Sequence, residues 1–313
     1  MTQCSCPVQA VRSIPPVRPM PRQVALAAVP LIVLEAALVL AWSSGFVGAR
    51  FSIDYAPAFL VVFWRCVLVM LMLFPWAIGE LVRTPMPTLL RHAGIGLLAM
   101  AGYLAGVVKG IEHGVPAGLA ALIADLLPIG TTLLAVLVFK QRVRRGVWVG
   151  LGIGLLGVVM VMHDALAWGD APPWSYLLPL LGMLSLAVAT LLQKRSRTTM
   201  SVVPNLWLQF AVSTIVFGVL AQVEGGLVPA RGTGFGLSVL WTAVLSSLGG
   251  YALYWICLTR SSPTRVASVL YLSPAVTLVW SWAMFGDALS WLMGAGTLVV
   301  GLGIWVVVRG EGR

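Results

Sequence analysis

The chain has 313 residues, of which 59% are hydrophobic and only 10% are charged, and its mean hydropathy is +0.97. Water-soluble globular proteins contain about 25% charged residues, so this composition excludes a soluble domain, a disordered chain and a nucleic-acid-binding module. In such an apolar chain the net charge of +10 instead predicts loops rich in lysine and arginine at one face of a membrane. The four cysteines and three histidines are scattered, so neither a disulfide framework nor a metal site is expected, and no cofactor is expected either.

Long apolar segments follow one another along almost the whole sequence. A helix needs about 20 apolar residues to cross the hydrocarbon core of a bilayer. The sequence therefore predicts an all-α membrane protein with ten transmembrane helices, at about residues 24–49, 57–79, 92–110, 115–139, 147–163, 174–193, 203–223, 236–258, 264–285 and 289–308. The basic, proline-rich residues 1–23 are predicted to form a disordered cytoplasmic tail, and residues 309–313 a short second tail.

The positions of lysine and arginine predict how these helices are oriented. With the N-terminus inside, sixteen basic residues fall in cytoplasmic segments, whereas three fall in outer loops and Arg65 lies within a span. Cytoplasmic loops of membrane proteins carry an excess of lysine and arginine. Both termini are therefore predicted to be cytoplasmic.

The two halves of the sequence share landmarks at a constant separation. A shift of 146 residues superposes Pro128 on Pro274, Phe139 on Phe285, Gly150 on Gly296 and Gly157 on Gly303. We therefore predict two five-helix repeats, at residues 24–163 and 174–308. Because five is an odd number, the second repeat would cross the membrane in the opposite sense, as in many secondary transporters.

Several runs of residues resemble a known family. They are WSSGFVGARFS at Trp42–Ser52, FWRC at Phe63–Cys66, GLAALIADLLP at Gly118–Pro128 and GLGIGLLGVVMV at Gly150–Val161. In their order and spacing these runs resemble EamA-type members of the drug/metabolite transporter superfamily. The resemblance implies ten helices in two inverted five-helix halves, a location in the bacterial inner membrane, and transport of small metabolites.

The first repeat departs from that family at one place. Typical members have a Gly-Glu pair after the helix that carries the proline, and the sequence has Lys140-Gln141 in the first half and Gly286-Asp287 in the second. A structural role for the glutamate of this pair is therefore not expected in the first half.

Three ionisable side chains, Glu35, Arg65 and Asp125, are predicted to lie inside the membrane, where charges are costly and mark functional sites. The helical rise places Arg65 and Asp125 at similar depths, about 12 and about 15 Å from the outer end. Two interpretations stay open: an ion pair that only fixes helix packing, or a water-filled cavity in which one of them binds substrate or a coupling proton. Glu35 would either couple transport to protons or hydrogen-bond to neighbouring serine or backbone groups.

The remaining candidate binding residues are polar aromatic side chains and one amide: Trp42, Tyr103, Gln209, Tyr251 and Tyr271. The aromatic residues would form a stacking wall for flat or apolar substrates, and the 146-residue shift places Tyr271 opposite Asp125. Alternatively, the aromatic residues belong to the interfacial belts of the membrane, and Gln209 joins two helices rather than facing a cavity.

These features favour a secondary transporter, in the export direction, for small metabolites such as amino acids or amphipathic drug-like compounds. It would work by alternating access around a cavity at the membrane midplane, as a monomer or a homodimer, with lipid around it, protons as a possible coupling ion and no nucleic-acid partner. A membrane-embedded enzyme or a non-transporting scaffold is the alternative. An enzyme is not expected, because the sequence offers no nucleophile–base pair or metal ligands at depth.

Overall fold

A computed structural model describes residues 29–140, 145–168, 171–196, 200–261, 266, 269–287 and 289–311. The predicted tail at residues 1–23 therefore lies outside the described residues. All regular secondary structure in the described residues is helical, which confirms the all-α prediction for this part of the chain.

The described residues form ten helical units, which are labelled α1 to α10 in chain order. They are α1 (Leu31–Ser52), α2 (Ala58–Leu81), α3 (Met86–Glu112), α4 (Ala117–Ala124 and Leu127–Phe139), α5 (Arg145–Trp168), α6 (a short 3-10 turn at Pro173–Tyr176, then Leu177–Arg195), α7 (Val202–Glu224), α8 (Thr233–Leu240, Trp241–Gly249 and Gly250–Arg260), α9 (Ser273–Phe285) and α10 (Trp291–Glu311).

Seven of these units are long and apolar enough to cross a membrane by length and composition, namely α1, α2, α3, α4, α6, α7 and α8. Units α5 and α10 contain shorter apolar stretches, at Arg145–Val161 and Trp291–Val307. The chain is therefore a multi-pass membrane protein.

Helices α4 and α9 carry matching irregularities. A two-residue turn, Asp125–Leu126, separates the two parts of α4, and Tyr271–Leu272 forms the corresponding turn before α9. In each case a proline occupies the first turn of the helix that follows, a position that suits its missing N–H and its fixed φ better than a helix interior does.

The same two helices end in the same way. Their terminal residues are followed by Lys140 and Gly286, which have φ angles of 50° and 73° in the left-handed region. Glycine is the usual residue at this position because a Cβ is disfavoured there. Lys140 is the one non-glycine residue with positive φ among the described residues, so the first half adopts this ending without the glycine.

Helices α3 and α8 each contain a π-helical segment, at Leu97–Gly102 and Trp241–Gly249. The segments end just before Tyr103 and Tyr251. A π-helical turn inserts an extra residue into the helix and often occurs at functional sites, so it rotates the following tyrosine relative to a regular helix.

Contacts between helix ends define two faces of the bundle. At the first, Glu112 Oε1 accepts a hydrogen bond from Ala58 N at 2.8 Å, and Lys109 forms an ion pair with Glu224. At the second, Glu80 Oε1 accepts from Ser201 N at 2.8 Å, and Arg260 donates to Val29 O at 3.1 Å. We call these faces the Lys109 end and the Glu80 end. Helices α1, α2, α3, α7 and α8 thus run in directions that alternate along the chain.

Helices α5 and α10 pack against each other through glycines. A Cβ on Gly150 would lie 2.8 Å from Gly303 O, and a Cβ on Gly157 would lie 2.7 Å from Gly296 O. Both distances are shorter than a real Cβ contact, so the two helices approach as closely as glycine allows. The main core lies between α2, α3, α4 and α7, around the fully buried Phe210 and Phe217, and it extends to Val300 and Ile304 of α10.

Candidate functional site

A small cavity of about 70 Å³ lies between α1, α2, α3 and α8. Its lining includes Trp42, Arg65, Tyr103, Ser246 and Tyr251, and we call it the Arg65 chamber. Four of these residues, all except Ser246, were predicted as site residues from the sequence, so the fold brings half of the eight predicted residues together at one place.

Arg65 is held in position from one side only. Its side chain is 8% exposed, and its Nε donates a hydrogen bond to Ser247 Oγ at 2.8 Å. Ser247 Oγ in turn donates to Thr242 O at 2.9 Å, five residues earlier in the π-helical segment. The segment therefore turns a serine toward the guanidinium. Among the described residues, Arg65 has no other hydrogen bond and no carboxylate within 4.0 Å.

Aromatic rings form part of the chamber wall. The ring centroids of Trp42 and Tyr251 are 6.0 Å apart in an edge-to-face arrangement, and those of Trp42 and Tyr254 are 6.3 Å apart. Such arrangements are favourable for the quadrupoles of aromatic rings. Trp42, Tyr103 and Tyr251 thus line one cavity, and their role in stacking against a substrate stays a prediction.

A second cavity, of about 450 Å³, lies between α3, α6, α7 and α8 toward the Glu80 end. We call it the vestibule. Its polar lining includes Thr190, Gln193, Asn205 and Gln209. Tyr251 lines both the vestibule and the Arg65 chamber, so the two cavities are neighbours that share this residue.

The other three predicted residues, Glu35, Asp125 and Tyr271, are not among the residues that line these two cavities. Glu35 is 5% exposed and lies in the first turns of α1. Tyr271 lies half-buried in the turn before α9 and packs against the main core. Their suggested roles in binding or coupling stay predictions.

Asp125 lies in the break of α4, and its backbone N–H donates to Ala121 O at 2.9 Å. Its Oδ2 is buried and has no hydrogen-bond partner among the described residues. No ion pair within 4.0 Å joins it to Arg65 in the part of the chain that the structure describes. A role of either side chain in binding substrate or a coupling proton stays a prediction.

Two polar contacts near the site were missed by sequence reasoning. His92 is 1% exposed, and its Nδ1 lies 3.1 Å from Oδ1 of Asn205, which lines the vestibule. Ser247, the partner of Arg65, was also not predicted. A serine in an apolar helix is a weak signal on its own, because it usually bonds to its own helix.

Three charged residues close the bundle at the Lys109 end. Lys109 forms ion pairs with Glu112 and Glu224, and its ammonium lies 4.5 Å from the ring centroid of Phe59. The three charged side chains are about one-fifth to one-quarter exposed. We call them the Lys109 cluster. It links α3 to α7 directly, and to α2 through Glu112 and Ala58 N.

The sequence is similar to bacterial membrane transporters over most of its length. A protein of Salmonella typhimurium (strain LT2) named "Probable amino-acid metabolite efflux pump" is 26% identical over 285 residues, which cover 87% of this chain and 93% of that protein. An uncharacterized inner membrane transporter of Escherichia coli (strain K12) is 25% identical over 258 residues, covering 81% and 82%.

The crystal structure of another protein superposes with a TM-score of 0.59 at 18% identity, and the match covers 90% of this chain and 97% of that chain. The two chains therefore share a fold.

The model of the EamA-like transporter family matches the sequence twice, at residues 29–163 and at residues 173–309. These two matches include nearly all of the helical units, and the two relatives are named as an efflux pump and an inner membrane transporter. The resemblance inferred from the sequence is thereby confirmed: the chain belongs to the EamA-like transporter family and is a multi-pass membrane transporter.

Proposed function

We propose that this protein exports small metabolites across the bacterial inner membrane by alternating access. The observation that carries the proposal is the alignment of two cavities along the bundle, the vestibule and the Arg65 chamber, with Tyr251 in the wall of both. A substrate would pass from one to the other when Tyr251 and its neighbours move.

Alternating access requires two arrangements of similar energy, and we propose that an inverted repeat of ten transmembrane helices provides them. Gly150 approaches Gly303 while Gly157 approaches Gly296. The 146-residue shift turns each of these contacts into the other, which is the pattern expected around a two-fold axis. The matching turns and endings of α4 and α9 support the same proposal.

In this proposal the Glu80 end is cytoplasmic and the Lys109 end is periplasmic, because most of the basic residues then fall inside. The vestibule, whose wall includes Gln193 near the end of α6 and Met200 after it, would open to the cytoplasm. The Lys109 cluster would close the periplasmic side. The described conformation would thus be the one that loads substrate from the cytoplasm.

Amino-acid metabolites are the first substrates to test, because one relative is named as an efflux pump for them. The vestibule lining supports this choice, since the amides of Asn205 and Gln209 and the hydroxyl of Thr190 can hydrogen-bond a polar metabolite. Proton coupling would use Asp125 or Glu35, the two acidic residues within the predicted spans.

The test is uptake of the twenty labelled amino acids into liposomes that contain the purified protein. We expect saturable uptake of at least one, which Tyr251→Ala reduces by about tenfold or more because the wall between the cavities is lost. Trp291→Ala is the matched control, since Trp291 is 95% exposed on the bundle surface and should transport normally. Absence of saturable uptake, or normal uptake by Tyr251→Ala, would contradict the proposal.

The same liposomes test coupling. If Asp125 carries the proton, Asp125→Asn should lose uptake driven by a pH gradient and keep exchange of labelled for unlabelled substrate, because exchange moves no net proton. Equal loss of both activities, or of neither, would exclude Asp125 from coupling.

A further inference from the structure

We infer that Arg65 binds a carboxylate group of the substrate, and that the Arg65 chamber receives this group while the rest of the substrate extends into the vestibule. The inference rests on the proposed function and deepens it, because it names the chemical group by which the transporter would recognise its substrate.

The guanidinium of Arg65 has an incomplete set of hydrogen-bond partners among the described residues. An arginine side chain has five N–H donors in a planar fork, and only the Nε–H of Arg65 has a partner among the described residues. A buried guanidinium without a counter-charge is unfavourable. The partner that matches the remaining donors best is a carboxylate, which can accept two parallel hydrogen bonds.

The charge of the residues that line the two cavities also indicates Arg65. Arg65 is the one charged side chain among the described residues that line the chamber or the vestibule. The nearest alternative cation along α3, Lys109, is already paired with Glu112 and Glu224. A negatively charged group that enters from the vestibule therefore meets a single positive charge, at Arg65.

The volumes of the two cavities fit the two parts of such a substrate. The chamber of about 70 Å³ is about half the volume of an apolar cavity of roughly 150 Å³ that holds benzene. It can accept a carboxylate but not a whole metabolite. The vestibule, at about 450 Å³, is large enough for the remainder. Because Tyr251 borders both spaces, it would contact the substrate next to its carboxylate.

The experiment measures binding to the full-length protein in detergent by the shift in its thermal unfolding. The probes are L-leucine, L-phenylalanine and L-serine, each compared with its own carboxamide, which keeps the side chain and the amine and lacks the negative charge. We expect at least one amino acid to bind about tenfold or more tightly than its carboxamide. Arg65→Gln should remove this difference, whereas Arg65→Lys should keep part of it.

Two further variants separate binding from folding. Ser247→Ala leaves the charge in place and removes the hydrogen bond that orients it, so the preference for the carboxylate should shrink while the protein remains folded. Arg50→Gln is the matched control, because Arg50 pairs with Asp54 at an exposed position and should leave the preference unchanged.

Equal binding of an amino acid and its carboxamide, an undiminished difference in Arg65→Gln, or no binding of any of the three amino acids would overturn the inference. A further contrary result would be that potassium chloride stabilises the protein and abolishes the difference in binding between amino acid and carboxamide. The chamber would then be a site for inorganic anions. The outcome is independent of the transport assay: uptake without carboxylate preference removes the Arg65 site alone, and preference without uptake removes the transporter proposal alone.

Discussion

Single glycines decide how closely helices approach in this bundle. A Cβ on Gly106 would lie 2.3 Å from Leu178 O and 2.8 Å from the Cα of Gly182. Both neighbours are backbone atoms of α6, so they cannot yield as a side-chain end can. Without a strong hydrophobic force between helices in lipid, such close backbone packing is a main source of association.

We therefore predict that Gly106→Ala lowers the free energy of unfolding by about 1–3 kcal/mol, because α3 and α6 must separate to admit one methyl group. Gly94→Ala, on the same helix, has no atom within 4 Å of the added Cβ. It should be neutral or stabilising by up to about 1 kcal/mol, since alanine favours helix more than glycine does. Thermal unfolding in detergent compares the two variants, and equal effects would contradict the packing described here.

The hydrogen bond from Arg65 to Ser247 could not be predicted from the sequence. The helical rise gave Arg65 a depth, but depth does not tell which way a side chain faces around its helix. The direction in which Ser247 faces depends on the π-helical segment in α8, where its Oγ donates to Thr242 O five residues back. The hydropathy of an apolar run does not reveal such a segment.

At the scale of elements, the Lys109 cluster links the ends of α2, α3 and α7. Lys109 and Glu112 are three residues apart, but Glu224 follows Lys109 by more than a hundred residues. The sequence could place each charge near the end of a span but could not pair Lys109 with Glu224. The breaks in α4 and α9 are different: Pro128 and Pro274 are local signals, and the turns lie just before them as proline chemistry requires.

We predict that Lys109→Met lowers the free energy of unfolding by about 1–3 kcal/mol, because Glu112 and Glu224 are left close together and half-buried without their cation. Lys109→Arg keeps the charge and should lose less. The measurement is thermal unfolding of both variants in detergent at low and high salt. A destabilisation that is the same for Met and Arg would mean that the ammonium stabilises nothing by its charge.

At the scale of the whole molecule, hydropathy was sufficient to predict an all-helical, multi-pass membrane protein, whereas the inverted repeat and the orientation of the helices stay predictions. A run of apolar residues long enough for a bilayer has few alternatives to a helix, since backbone groups in lipid must bond within the segment. The cavities could not be obtained in this way, because they depend on how α3, α6, α7 and α8 diverge. Asp125, Glu35 and Tyr271 illustrate the difference, since each lies within or near a span and none lines the vestibule or the chamber.

The central proposal is that the vestibule and the Arg65 chamber open to one side of the membrane at a time, and that the Lys109 cluster keeps the periplasmic side closed. The most direct measurement is labelling of Ala49→Cys, a chamber position near the Lys109 end, by a membrane-impermeant maleimide added to intact cells. The native cysteines would be replaced beforehand. The account predicts no labelling from the periplasm in the otherwise unchanged protein and clear labelling when Lys109→Met is added. Labelling to the same extent with and without Lys109→Met would contradict it.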